Sequence, residues 1–135
     1  MNTNVESLDT NVLLRLIIGD NKKQQTKAAT LLTRPDATFY VDDLAIFEII
    51  YILSGESYGF SRQEVATIIE GIFKRLNVTG NYPLISEATH FFAEHPKLSW
   101  ADCYLAAKAA AKHAEPLWTF DRKLASQSPT AKEII

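Results

Sequence analysis

One cysteine, five prolines, five glycines and three histidines in 135 residues exclude several kinds of protein at once. The lone Cys103 allows neither an internal disulfide nor a cysteine-built zinc cage, and it is expected as a small buried hydrophobe. No proline-rich or low-complexity linker divides the chain, and no apolar run approaches the length needed to span a membrane. The first residues, Met1 to Glu6, lack the basic start, apolar core and small-residue cleavage site of a signal peptide, so a cytoplasmic location is expected. A formal charge of −2 gives no basic signature of nucleic-acid binding, although a group of acids could mask a modest basic rim. Also missing are a glycine-rich phosphate loop, a Ser-His-acid arrangement and a Cys-His pair.

What is present is the make-up of an ordered globular protein: 47% apolar and 22% charged residues. The length suits a single domain over residues 1–135, large enough to bury a substantial core.

Along the chain, Val5–Leu8 reads as a short strand. The turn Asp9-Thr10-Asn11 follows, and Val12 to Ile18 has helical spacing until Gly19-Asp20 stops it. Lys22 to Leu32 forms a second helix with Ala28, Ala29, Leu31 and Leu32 at helical positions. Thr38-Phe39-Tyr40-Val41 is aromatic and β-branched, a strand of a covered sheet, after which Asp42 or Asp43 caps a helix running to Leu53. Ser61-Arg62-Gln63-Glu64 is a capping box opening a helix to about Arg75. Leu76 to Thr79 reads as a strand, Tyr82-Pro83 precedes a helix ending near His95, and Ser99 caps an alanine-rich helix ending around Ala114. Leu117 to Phe120 is another strand, and Asp121 starts a last short helix. Strands separated by helices, with too much chain between them for hairpins, predict an α/β fold with a mainly parallel central sheet. Ligands of such sheets collect at the carboxyl ends of the strands.

Four carboxylates stand out against this pattern. Asp9 and Asp121 end strands, while Glu48 and Asp102 fall among the apolar residues of helices. Local explanations exist for three of them. Asp9 and Asp121 suit helix caps, and Ser99-Trp100-Ala101-Asp102 suits a capping-box variant. Glu48 has no such role: it lies too deep in its helix to cap it, in register with Leu44, Ala45, Ile49 and Ile52. Asp102 shares its register with Leu105, Ala106, Ala109 and Ala110, read here as the stripe facing the core. Burying an unpaired charge costs several kcal/mol or forces the group to keep its proton, so converging acids imply a bound cation. Hard oxygen donors without paired histidine or cysteine favour magnesium or manganese, as one or two ions. His90 and Glu94, four apart, make a poor zinc site by comparison, His113 suits a helix end, and Asp42-Asp43 suits a cap.

The sequences around these acids resemble the motifs of PIN-domain ribonucleases, particularly the VapC-like toxins of type II toxin-antitoxin pairs. Leu8-Asp9-Thr10-Asn11-Val12-Leu13-Leu14-Arg15 resembles the opening motif, and Phe47-Glu48-Ile49-Ile50-Tyr51-Ile52-Leu53 the second. Ala101-Asp102-Cys103-Tyr104-Leu105-Ala106-Ala107 resembles the third and Thr119-Phe120-Asp121-Arg122-Lys123-Leu124 the fourth. The resemblance covers nearly the whole chain; it departs at the first strand, usually more apolar than Val5-Glu6-Ser7-Leu8.

That resemblance implies a three-layer α/β/α PIN-like domain in which Asp9, Glu48, Asp102 and Asp121 hold divalent metal. It also implies that Asn11 orients Asp9 or a bound water and that Thr119 hydrogen-bonds within the acidic cluster. The expected activity is magnesium-dependent hydrolysis of RNA phosphodiester bonds. Arg15, Arg122 and Lys123, with Lys22 and Lys23, are candidates for backbone contacts to RNA. A cognate antitoxin inserting a basic side chain into the acidic groove is implied as partner, as is a homodimer through helices of the first half, where Tyr51, Tyr58 and Phe60 are expected to be exposed. A housekeeping RNA-processing enzyme or a DNA nuclease would share the fold and the acids. From other classes, a receiver-like phosphoacceptor needs an acid pair at the end of the first strand and an acceptor Asp on a middle strand, where this chain has one acid and a helical Glu48. An idle binding module would require the acids to be caps only.

Overall fold

A computed structural model describes residues 4–135, so the first three residues of the polar N-terminus lie outside it. Helix starts are set by short polar side chains. Asp9 precedes α1 (Thr10–Ile17), Asn21 precedes α2 (Lys22–Leu32), and Asp42 precedes α3 (Asp43–Ser54), each accepting a hydrogen bond from a backbone N–H of the first turn. At α4 (Arg62–Phe73) the capping box is complete, with Ser61 and Glu64 each bonding the other's backbone N–H. Pro83 sits in the first turn of α5 (Tyr82–Glu94), where its missing N–H costs nothing. Ser99 opens α6 (Trp100–Ala111), and Asp121 opens α7 (Arg122–Gln127).

Between these helices, β1 (Asn4–Ser7), β2 (Ala37–Val41) and β3 (Val78–Gly80) form a parallel sheet in the order β1-β2-β3. Its register pairs Glu6 with Phe39 and Phe39 with Val78. The remaining strands, β4 (Leu117–Thr119) and β5 (Ala131–Glu133), pair in parallel with each other as a separate two-stranded ribbon. All pairings among the described residues are parallel, with helices flanking the strands, giving the expected three-layer α/β/α arrangement. Two details differ from the sequence reading. Strand β5 was not expected, since Ala-Lys-Glu carries neither β-branched residues nor an apolar alternation, and β4 pairs only with it rather than extending the first sheet.

Strand β2 is central, with Ala37, Phe39 and Val41 all buried, and these share one core with Ile46, Ile49 and Leu53 of α3, Val65 and Ile69 of α4 and Ile85 of α5. Strand β1 is an edge, and Val5 on it is exposed. Where β2 and β3 close together, Gly80 is required by space: a Cβ there would lie 2.7 Å from the Val41 carbonyl oxygen and 2.9 Å from Phe73 Cε1. Several polar groups in the core find partners within it. The Trp100 indole N–H donates to Thr89 Oγ1 at 3.0 Å, and Thr89 donates onward to the Ile85 carbonyl at 2.6 Å. Arg62 donates to the carbonyls of Phe92, His95 and Leu98, closing the turn between α5 and α6 while its guanidinium lies 4.1 Å from the Phe92 ring centroid. Desolvation pushes the Arg62 pKa downward from the ordinary arginine range. No helix among the described residues is long and apolar enough to cross a membrane.

Candidate functional site

The four acids are carried by elements that neighbour one another in series: α1 packs on α3, α3 on α6, α6 on β4, and β4 on α7. Asp9 caps α1 from the end of β1 and accepts from Thr10 N at 2.7 Å through Oδ1. The Thr10 hydroxyl donates to Glu48 Oε1 at 2.8 Å. Asp9 and Glu48, 39 positions apart in the chain, are thus held beside each other by the residue between Asp9 and Asn11.

Asp121 accepts from the backbone N–H groups of Lys123 and Leu124 through Oδ1, and its own N–H donates to Thr119 Oγ1 at 3.0 Å. Thr119 thus meets the backbone of Asp121, and no hydrogen bond joins it to a carboxylate among the described residues. Asp102 lies in the first turn of α6, where its backbone N–H donates to Ser99 Oγ at 3.1 Å. Every local capping role proposed from sequence is thus filled for Asp9 and Asp121, and the half of the box involving the Asp102 backbone is formed.

The expectation of burial does not hold. Asp9 and Glu48 are exposed, and Asp102 and Asp121 are half-buried. Glu48 stands among apolar neighbours because α3 is apolar on nearly every side: Leu44, Phe47 and Tyr51 are themselves exposed on it. On α6 the core-facing stripe is Trp100, Cys103, Ala106 and Ala107, which puts Asp102 beside it rather than on it. Solvent, rather than an obligatory counter-ion, can therefore hydrate these side chains.

The donor chemistry suits a hard divalent cation. None of the four acids is in an ion pair among the described residues, and each leaves at least one carboxylate oxygen without a hydrogen-bonding partner there. Their positions are less assembled than that chemistry: no three His, Cys, Asp or Glu side chains among the described residues are grouped closely enough to hold an ion. The structure links Asp9 with Glu48, and Thr119 with Asp121, without closing the four into one ligand cage.

Other candidate residues fall elsewhere. Asn11 is exposed, makes no hydrogen bond to Asp9 among the described residues, and lines a shallow pocket between α1 and α2 with Arg15 and Lys27. Arg15 is paired with Asp20 at 2.6 Å and Arg122 with Glu133 at 3.4 Å, whereas Lys22, Lys23 and Lys123 are exposed without an ion-pair partner among the described residues. His90 bonds Ser86 and approaches Glu70, away from any metal-like group. Of the three aromatics expected to be exposed, Tyr51 is, while Tyr58 and Phe60 pack on the core and Tyr58 donates to Asp20. Cys103 is buried as expected, and desolvation raises its thiol to about 11.

Two features escaped the sequence reading. Thr10 is one: its position between two motif residues is visible in the sequence, but its bond to Glu48 is not. The other is a cavity of about 610 Å³ at the carboxyl ends of β2 and β3, lined among others by Tyr40, Asp43, Phe47, Asn81, Trp100 and Lys108. Tyr104 donates to Asp43 Oδ2 in it, Lys108 Nζ lies 3.3 Å from the Tyr104 hydroxyl, and Asp43 Oδ1 is buried without a partner among the described residues. Burial first, then the hydrogen bond to Asp43 and its negative charge, pushes the Tyr104 hydroxyl far above the ordinary tyrosine range. None of the four acids lines this cavity.

With this geometry in view, comparison with known proteins is specific at one point. A family model described as PIN domain matches residues 7–128, from the end of β1 through α7. Among solved structures, the chain is similar to the crystal structure of VapBC2 from Rickettsia felis bound to a DNA fragment from their promoter, at 16% sequence identity and a TM-score of 0.37, covering 96% of this chain and 97% of that one. That likeness is too loose to bear on fold or function. No curated protein matches.

Proposed function

The chain belongs to the PIN domain family, whose members are nucleases, and on that premise we propose that it is an endoribonuclease dependent on a divalent cation, magnesium or manganese, and the toxin of a toxin-antitoxin pair. The observation that carries the reading is the Asp9–Thr10–Glu48 connection, which joins the first two acidic motifs of a chain matched by the family model over residues 7–128. The motif order through Asp102 and Asp121 supports the rest.

The physical case for a cation is one of charge. A phosphodiester is an anion, and four carboxylates on neighbouring elements repel it unless positive charge stands between them. A bound divalent ion supplies that charge and lowers the pKa of water. The chain's own residues hold position: Thr10 fixes Glu48 against Asp9, and Thr119 with the α7 N–H groups fixes Asp121. Asp102, whose carboxylate accepts no hydrogen bond from the described residues, is the side chain left free to take the proton of an attacking water. Lys123 is the cation near Asp121 available for a phosphate without first leaving a partner, whereas Arg15 and Arg122 must exchange Asp20 and Glu133 for it.

The toxin reading rests on the motif resemblance and carries two further proposals: an antitoxin that places a basic side chain among the acids, and a homodimer involving the exposed Tyr51. A housekeeping RNA-processing role or a DNA substrate would use the same residues. The purified protein should cleave single-stranded RNA with magnesium and lose that activity with chelator, while cleaving DNA little. Expression alone should arrest growth, and co-expression with a short neighbouring reading frame should relieve the arrest. Cleavage that persists in chelator would sink the metal assignment, and a preference for DNA would replace the ribonuclease reading. Elution as a monomer at micromolar concentration would remove the dimer.

A further inference from the structure

Beyond the acids, the β4–β5 ribbon presents exposed aromatic and basic side chains beside Asp121. Side chains alternate along a strand, and the burial pattern follows in β4, where Leu117 and Thr119 are half-buried and Trp118 is 56% exposed; Phe120, the residue after the strand, is 79% exposed. Lys132, the register partner of Trp118 on β5, is exposed on the same face, with its Nζ 5.6 Å from the Trp118 ring centroid. Arg122 and Lys123 follow directly in α7 and share a surface depression with Lys132. Arg122, Lys123 and Lys132 outnumber Glu133 and the adjacent Asp121 by three to two, and with Arg122 paired to Glu133, Lys123 and Lys132 are the cations left unpaired here among the described residues. Exposed large aromatics are costly to leave in water, and Trp118 and Phe120 stay largely uncovered among the described residues.

We propose that this ribbon face is a binding track for single-stranded RNA, on which bases stack against Trp118 and Phe120 and phosphates lie against Lys132, Lys123 and Arg122. The proposal rests on the nuclease reading and deepens it by stating where the strand runs as it leaves the acids. Charge selects the occupant. A polyanion with flat apolar faces complements alternating rings and cations, and tolerates sequence variation because every base has a face to stack. Phe120 is covalently next to Asp121, so a base on its ring lies one nucleotide or so from the last acid. The strand's order is then acids, Phe120, Trp118, with the lysines along its side.

Equilibrium binding of a fluorescently labelled single-stranded RNA, measured by anisotropy in chelator so that no cleavage intrudes, tests this directly. Trp118→Ala and Phe120→Ala should each weaken binding on the order of tenfold, and Lys132→Glu should weaken it while flattening the salt dependence by roughly 0.7 in log–log slope for each phosphate no longer neutralised. These positions are exposed, so circular dichroism and Tm should match the parent; Trp118→Phe, which keeps a ring, should retain most of the affinity. Parent-like affinity and salt slope in Trp118→Ala, Phe120→Ala and Lys132→Glu would overturn the track, and if those variants instead lost self-association the face would belong to a protein interface. Cleavage assayed in parallel separates the two readings. A parent that cleaves RNA while the ribbon variants bind and cleave as it does leaves the nuclease and removes the track, whereas a parent that neither binds nor cleaves RNA removes both.

Discussion

The hydroxyl of Thr10 donates to Glu48 Oε1 at 2.8 Å, so the residue following the first acid anchors the second. Thr10 is buried although both acids it touches are exposed. Its side chain joins a hydroxyl that bonds Glu48 to a methyl on the same buried residue, which only threonine among the small residues combines. Thr10→Val keeps the shape and removes the bond. It should cost about 1–2 kcal/mol of stability, read from urea denaturation, and lower RNA cleavage by on the order of tenfold or more because Glu48 is no longer held. Thr10→Ser should recover most of the cleavage. Equal activity in Thr10→Val and the parent would mean that the bond does not position Glu48.

Gly80 admits no side chain where β3 meets β2. Gly80→Ala places a methyl against the Val41 carbonyl, which is backbone and cannot swing away, and should destabilise the protein by about 1–3 kcal/mol. Differential scanning calorimetry should show the lowered Tm; Gly71→Ala, where a Cβ meets nothing within 4 Å, should be neutral or slightly stabilising.

The buried chain Trp100–Thr89–Ile85 makes a paired prediction. Thr89→Val leaves the indole N–H of Trp100 without an acceptor in a dry core and should cost about 1–3 kcal/mol. Trp100→Phe removes the donor as well, so the double variant should lose less than the sum of the two single losses in a denaturation cycle.

These cases show where the sequence was legible. The caps Asp9, Asp42, Ser61, Ser99 and Asp121 stood at helix starts because a short acceptor side chain before an apolar run has one common use, and α2 runs from Lys22 to Leu32 as its spacing requires. The parallel arrangement also followed from the long connections. Burial of Glu48 did not, because α3 is apolar all round and such a helix does not say which of its faces is covered. Strand β5 was illegible because three residues, Ala131, Lys132 and Glu133, form a strand only through pairing with β4. Thr10 was invisible as a link, since its partner lies 38 residues away.

Stability should fall in acid through Glu70. Burial would raise its pKa, but hydrogen bonds from Tyr82 and Ser86, with the charges of His90 and Lys74, outweigh it and hold the carboxyl below the ordinary glutamate range. A carboxyl depressed by folding contributes stability that is fully present above its unfolded value of about 4.3 and lost as pH falls through the lower folded value. Glu70→Gln should therefore flatten the pH dependence of ΔG between about pH 5 and pH 2. An unchanged slope in that variant would place the acid sensitivity elsewhere.

The central claim is that Asp9, Glu48, Asp102 and Asp121 act together as one metal-dependent site, and it is tested most directly by RNA cleavage in magnesium by the single variants Asp9→Asn, Glu48→Gln, Asp102→Asn and Asp121→Asn and by the double variant Asp9→Asn/Asp102→Asn. Residues that act as a unit lose their effect together, so each single change should lower the rate by roughly a hundredfold or more and the double should lose little beyond the worse single. Full activity in Asp9→Asn or Asp102→Asn, with the fold intact by circular dichroism, would contradict the claim and leave these acids as helix caps.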